Sequence, residues 1–322
     1  MSKPSEEFRE SRPQGRRALL FGGGGMLGWE VVEGLSKAGF EVEAPSRQSA
    51  DIVRPESIRR VLERDLPGVV INCAAYTAVD RAETEREAAF AVNRDGPAHL
   101  AAECARFGLP LIHISTDYIF NGQNDRPYKE TDPPGPLNAY GLSKWEGEEA
   151  IRSALAEHII LRTSWLYGVR GSNFVKTILR AGREREELRV VSDQHGCPTW
   201  TRDLAGAIVR VAGLVYAGSG YRGNWGAYHF CGRGITTWYD FTLAILERAR
   251  QHESLKVQKV HPVPTTEYPT PAARPRWSVL DCRKIEEKLG ISPPPWEVSL
   301  GGMLEELGIT RVSPADVNPG TP

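Results

Sequence analysis

Several things are scarce in this sequence, and each scarcity closes off a class of function. No apolar run approaches the ~20 residues needed to span a bilayer, so no membrane span is expected. There is no basic surplus: 40 Lys and Arg face 41 Asp and Glu, for a net charge of −1. A sequence-independent grip on nucleic acid needs such a surplus, so no nucleic-acid partner is expected. The five cysteines, Cys73, Cys104, Cys197, Cys231 and Cys282, are odd in number and form no C-x-x-C pair. That argues against a disulfide framework or a zinc site. The opening residues MSKPSEEFRESRPQGRR are charged and lack the apolar centre of a secretory signal, so the chain is expected to stay in the cytoplasm.

What remains is an ordinary globular composition, 40% hydrophobic and 25% charged, over 322 residues. That length can bury a large core and accommodate two lobes. Short apolar runs at 17–21, 40–44, 69–74, 111–115 and 158–162 read as strands. Helical spacing follows each of the first four, over 26–38, from Pro55, over 87–107 and over 140–155. Apolar strands alternating with helices predict an α/β fold, a doubly wound parallel sheet of the Rossmann type. Beyond residue 165 glycine, proline and aromatics become frequent, with helices expected at 174–182, 202–213 and 237–251. The expected organisation is a disordered tail at 1–16, a nucleotide-binding domain at 17–165, a smaller α+β substrate lobe at 166–310 and a loose tail at 311–322. Some segments of the lobe could return to the main sheet. The run GREREELR at 182–189 reads as a solvated helix end.

The first strand runs into FGGGGMLG at 21–28, which fits two glycine frames. Gly23, Gly25 and Gly28 give G-x-G-x-x-G, and Gly22, Gly25 and Gly28 give G-x-x-G-x-x-G. Either turn lets backbone N–H groups and a helix dipole face a pyrophosphate. The second strand ends not in an acid but in Ser46 and Arg47. An arginine there suits a 2′-phosphate and favours NADPH, with NADH as the alternative. Small residues in NCAAYTAVD (72–80) would let a cofactor lie against the backbone.

Tyr140 and Lys144, in YGLSK, lie four apart and share a helix face. A neighbouring ammonium stabilises a phenolate and equips the tyrosine as the acid in ketone reduction. Ser115 and Thr116 close the fourth strand, where a hydroxyl can bond a substrate oxygen. Together with FGGGGMLG, INCAAYTAVDRAE, AVN (91–93), HISTDYIFNG, PLNAYGLSKWEGE, RTSWLYG, NFVKTIL, VVSDQHGCPT and RPRWSVLD, these residues make the chain resemble the dTDP-4-dehydrorhamnose reductase family of extended short-chain dehydrogenase/reductases.

The resemblance covers 17 to about 290 and implies the G-x-x-G-x-x-G frame. It implies a cofactor site of Gly22, Gly25, Met26, Leu27, Gly28, Arg47, Asp51, Ile52, Cys73, Ala74, Ala75, Thr77, Tyr140 and Lys144. Asp51 and Ile52 would lie near the adenine. The implied catalytic set is Thr116, Tyr140 and Lys144. Thr116, Tyr118, Trp165, Asn173 and Arg274 would meet the substrate, a dTDP-linked 4-keto-6-deoxy sugar.

Related 4,6-dehydratases carry Thr-Asp-Glu where this chain has Thr116-Asp117-Tyr118. A phenol with an ordinary pKa of about 10 cannot replace that glutamate, so reduction without dehydration is expected, with Asp117 structural. His195 and Cys197 make a poor ligand pair, and no acidic cluster offers itself, so no metal is expected. His99 and His113 read as packed or surface residues. A homodimer is compatible with the resemblance. Two other readings stay open: an NADP-binding regulatory subunit like the beta subunit of methionine adenosyltransferase, and a reductase of another nucleotide 4-keto sugar.

Overall fold

A computed structural model describes residues 16–217 and 223–309, so both expected tails lie almost wholly outside the described residues. Six strands form one sheet in the order β2–β1–β3–β4–β5–β10, every neighbouring pair parallel. They are β1 (Arg17–Phe21), β2 (Glu41–Glu43), β3 (Val69–Asn72), β4 (Leu111–Thr116), β5 (His158–Thr163) and β10 (Gly226–His229). Period-two alternation sends the side chains of the central strands to two separate cores. Leu20, Ile71, Ile112, Ile114 and Leu161 face one. Leu19, Phe21, Val70, Leu111 and Ile160 face the other. Helices α1 (Met26–Lys37) and α7 (Thr201–Ala217) cover the first face. Helices α2 (Pro55–Arg64), α4 (Gly96–Phe107) and α5 (Ala139–Ala154) cover the second.

Three segments beyond residue 165 thus lie with the main sheet: strand β10, helix α7, whose Leu204, Ile208 and Val211 pack with Val31 and Leu35, and the helix Arg283–Leu289, whose Ile285 and Leu289 join the same core. A third core joins α6 (Phe174–Glu184), α8 (Trp238–Arg250) and α10 (Trp296–Glu306) around Tyr167, Ile178, Phe241 and Leu300. Beside it β7 (Glu187–Val191) pairs in parallel with β12 (Lys259–Val263). Residues 187–189 of GREREELR therefore belong to a strand, not to a helix end. Their alternation, exposed Glu187 and Arg189 around buried Leu188, is the strand signature.

The helix expected over 87–107 is interrupted. An α-helical turn at Arg86–Phe90 (α3) passes into a π-helical stretch at Ala91–Asp95 before α4 begins. Buried Asn93 explains the break. Its amide donates to Tyr76 O and to Ser143 Oγ, both at 3.0 Å, and accepts from Tyr76 N–H at 2.8 Å. One side chain so ties the loop after β3 to α5, and a π-bulge aims it there.

Beneath the sheet edge, fully buried Glu148 of α5 accepts from Arg162 of β5 at 2.8 Å, from Arg152 at 2.5 Å and from the Ser115 hydroxyl. Burial alone would raise Glu148; the two arginines and Ser115 outweigh it and hold the carboxyl below its ordinary range. Arg162→Met should therefore cost about 3–5 kcal/mol in urea unfolding at neutral pH, by stranding a buried carboxylate. Glu148's contribution is full above its unfolded pKa and is lost as pH falls. The deficit of the variant should accordingly shrink on acidification through the carboxylate range. An equal deficit at neutral and acid pH would contradict the assignment.

Candidate active site

The glycine turn joins β1 to α1, and the structure separates its two frames. Gly22 has φ +85°, and a Cβ there would lie 2.5 Å from Ala74 N. A Cβ on Gly28 would fall 2.1 Å from Gly22 O. At Gly23 the conflict is milder, 2.9 Å from the Ala44 methyl, and at Gly24 there is open space. The backbone thus demands glycine at 22 and 28 most strictly, which favours the G-x-x-G-x-x-G frame. Helix α1 starts at N-cap Gly25 with no side-chain cap and no acid in its first turn. Its leading N–H groups are open to an anion, the arrangement a pyrophosphate requires.

Around this turn the expected cofactor residues differ in what they present. Leu27 and Ile52 bury their side chains in opposite cores, leaving only backbone for a ligand. Ile52 also packs under Gly96, and its carbonyl meets His99 Nδ1 at 3.1 Å. Met26 is half-buried, and Arg47 is exposed and bonds Asp51 at 3.1 Å. Cys73, Ala74 and Ala75 are half-buried beyond β3, and Thr77 is exposed. Gly22 packs directly on the Cys73–Ala74 peptide, so the turn and the end of β3 form one continuous floor.

The end of β4 and the start of α5 meet at the other side of this floor. Asn138 caps α5, accepting from Gly141 N–H at 2.7 Å. Gly141 lies so close to Tyr118 O that a Cβ would stand 2.2 Å from it. This contact brings Thr116, Tyr118 and Tyr140 together. Burial pushes the Tyr140 phenol up to about 12, while a hydrogen bond with Thr116 pulls it down. Tyr140 is therefore a protonated donor throughout the physiological range. The rings of Tyr118 and Tyr140 meet edge to face at 5.7 Å.

Lys144 is buried and donates to Ile114 O at 2.6 Å, with His113 Nε2 at 3.3 Å. Burial lowers its pKa to about 8, and Glu148 pulls the other way. Its ammonium is directed at β4, and the phenol of Tyr140 is raised rather than lowered, contrary to the expectation from their spacing. Ser115 is also redirected: its hydroxyl faces Glu148, leaving Thr116 as the hydroxyl beside Tyr140. Strand alternation puts the two on opposite faces.

Asp117 is buried and accepts from Thr116 Oγ1 at 3.0 Å; burial raises it to about 7, against hydrogen bonds from Ser278 and Thr116. Its bond partners lie in its own turn and at Ser278, and its charge acts on the phenols of Tyr118 and Tyr140.

The remaining substrate candidates divide. Arg274 lies by Tyr118 and forms a bidentate pair with Asp80, at 2.8 and 3.1 Å. Trp165, at φ +48°, stacks on Trp238 with centroids 3.5 Å apart and occupies the space a Cβ on Gly196 would need. The DQHGCPT loop therefore closes against Trp165. Asn173 caps α6, accepting from Lys176 N–H at 3.2 Å and donating to Gly168 O at 2.6 Å. Its amide also meets Met26 Sδ at 3.8 Å, so Asn173 stands beside the glycine turn.

Four residues of this site escaped the sequence reading: Asn72, Asn93, His113 as a site residue, and Asp80. Asn72 accepts from Ala74 N–H and meets His113 Nδ1, both at 3.0 Å, and so links the floor to Lys144 through His113. A polar residue in each of the apolar runs VVIN and LIHIST was the available signal. Among the described residues, no group of three or more His, Cys, Asp or Glu side chains is placed to hold a metal ion. Among the same residues no helix is long and apolar enough to cross a membrane.

The family model described as RmlD substrate binding domain matches residues 16–309. The chain belongs to the dTDP-4-dehydrorhamnose reductase family. It is 40% identical to the dTDP-4-dehydrorhamnose reductase of Burkholderia thailandensis over 90% of this chain and 99% of that one. It is likewise 40% identical to the Escherichia coli K12 dTDP-4-dehydrorhamnose reductase, over 91% of this chain and 98% of the relative. A crystal structure of the Bacillus anthracis dTDP-4-dehydrorhamnose reductase in complex with NADP superposes with a TM-score of 0.84 at 35% identity, covering 91% of this chain and all of that one. Membership makes the chain an NAD(P)H-dependent oxidoreductase.

The glycine assignment has a direct check. Gly22→Ala should lose about 1–3 kcal/mol of stability, because it strains the backbone and collides with the Cys73–Ala74 peptide beyond β3. Gly24→Ala should stay within about 0.5 kcal/mol of the parent. Chemical denaturation compares the two, and equal losses would refute the frame.

Proposed function

We propose that the chain reduces the C4 ketone of dTDP-6-deoxy-L-lyxo-4-hexulose with NADPH, giving dTDP-L-rhamnose in the cytoplasm. The observation that carries this reading is the meeting of Thr116 and Tyr140 at the carboxyl end of β4, beside buried Lys144 and the uncapped glycine turn. The names of the relatives and the NADP in the Bacillus anthracis structure support it.

The residues present fit the cofactor. The backbone of Gly22, Gly25, Met26, Leu27 and Gly28 would hold the pyrophosphate, and Arg47 the 2′-phosphate. Asp51 and Ile52 would border the adenine, with Cys73, Ala74, Ala75 and Thr77 as floor. When bound, NADPH supplies the hydride. The protein supplies position and protons. Tyr140, protonated at neutral pH, gives its phenolic proton to the C4 oxygen. Thr116 orients that oxygen through its hydroxyl. Lys144, whose ammonium is directed at β4, would hold the ribose hydroxyls. Tyr118, Trp165 and Arg274 border the sugar nucleotide, and Asn173 lies nearer the cofactor turn. Asp80 holds Arg274 in place by its bidentate pair.

Tyr140→Phe should lower kcat by about 10²–10⁴-fold in an assay of NADPH oxidation with this substrate. Near-normal turnover would remove Tyr140 from the acid role. NADPH binding without turnover by the parent protein would shift the reading to another keto sugar or to a regulatory subunit. The pH dependence has a definite sign. Lys144 is charged below about 8 and neutral above it, so kcat should fall as pH rises through that value. A rate that climbs through the same window would exclude the ammonium role.

A further inference from the structure

Three of the five cysteines, remote from each other in sequence, converge at the DQHGCPT loop, which itself carries Cys197. Cys197 lies between β8 (His195–Gly196) and β9 (Thr199–Trp200), Cys231 follows β10, and Cys282 precedes α9 (Arg283–Leu289). Cys231 Sγ stands 3.6 Å from Cys282 Sγ and is also within hydrogen-bonding reach of the Cys197 thiol. All three line a surface cavity of about 510 Å³, lined also by Arg126, Lys129, Arg233 and Arg283 and by the acids Asp281 and Glu286. Cys282 is half-buried, whereas Cys197 and Cys231 are buried. None of the three thiols belongs to the machinery assigned above. The other two cysteines are differently placed: Cys104 is sealed in the core under α2, and Cys73 lies at the end of β3.

We propose that Cys231 and Cys282 are a reversible thiol–disulfide pair, closed by a hydroperoxide that enters through this cavity. Cys282 is oxidised first, because it is the more exposed of the two. Its thiolate attacks one oxygen of hydrogen peroxide: the O–O bond breaks, hydroxide leaves and takes up the thiol's proton as the first water, and the sulfur is oxidised to a sulfenic acid. Cys231 Sγ then attacks that sulfur. The S–O bond breaks, and the departing oxygen leaves as a second water with the Cys231 proton. One peroxide and two thiols thus give one disulfide and two waters. Neighbouring thiols of Cys197 and Cys282, with burial, hold the Cys231 thiol well above its ordinary range, so Cys231 is not the thiol that meets the peroxide first. Closing from 3.6 Å to the ~2.05 Å of a disulfide needs a movement of about 1.5 Å, within reach of side-chain rotation. A dithiol reverses the bond by exchange.

The bond would tie two elements that frame the site. Cys231 continues the edge strand β10. Cys282 ends the strap 272–282, which carries Arg274 to Asp80, Ala273 O to the Asn138 cap and Ser278 to Asp117. Oxidation would therefore staple the strap to the main sheet, whatever sugar the site accepts.

Trypsin leaves the three cysteines in separate peptides, 190–202, 223–233 and 277–283. After mild hydrogen peroxide, peptide mapping of the full chain without reductant should show 223–233 joined to 277–283. Two of the five thiols should escape alkylation, and dithiothreitol should restore both. Cys282→Ser should abolish the cross-link, whereas Cys104→Ser should leave it intact. Persistent alkylation of Cys282, a bond from Cys231 to Cys197 instead, or Cys282 stopping at a sulfinic acid would each overturn the pair.

Discussion

The site depends on how helix α5 is seated against the carboxyl end of the sheet. At steps of four, Tyr140, Lys144 and Glu148 run down one face. None can be buried without a partner, and each has a different one: Thr116, Ile114 O with His113, and Arg162 with Arg152. Asn93 holds the helix from the side through Ser143, and Gly141 lets its first turn touch the Tyr118 carbonyl. A shift of one residue would strand a polar or charged group at every level of this face. Polar groups that are costly to bury thus fix the register of the helix, and the register sets Tyr140 beside Thr116.

The same constraint accounts for the division of labour along the sheet. Glu148 and its arginines lie below and carry charge that is fully compensated. Lys144 lies at mid-height, where burial brings its proton affinity down to about 8. Tyr140 lies at the cleft, raised to about 12 and so held as a donor. A reductase that must deliver a proton while accepting no water into the bond-making step is served by this gradient. Segments beyond residue 165 contribute by reaching back: Arg274 binds Asp80, and the loop at Gly196 closes against Trp165.

Much of this could be read in the sequence because it is local. The apolar strands, the glycine turn and the four-residue spacing of Tyr140 and Lys144 each announce themselves within a few residues. What stayed hidden is long-range. Arg274 meets Asp80 across 194 positions, and Asn72 meets His113 across 41. Asn93 breaks a helix that its own periodicity predicts, because tertiary hydrogen bonds outbid the helical ladder. Ser115 and Thr116 look alike in sequence, and only strand alternation sends one to Glu148 and the other to Tyr140. The direction of the Lys144 ammonium depends on a carbonyl 30 residues away, which spacing cannot reveal.

The proposed reaction passes a hydride from NADPH to C4 of a nucleotide sugar. The most direct test incubates the chain with dTDP-6-deoxy-L-lyxo-4-hexulose and NADPH deuterated at the transferable position of the nicotinamide, then reads the sugar product by NMR. Deuterium at C4 of dTDP-L-rhamnose, and at no other sugar carbon, is the predicted result. Unlabelled sugar, or recovery of the keto sugar beside intact deuterated NADPH, would contradict the account.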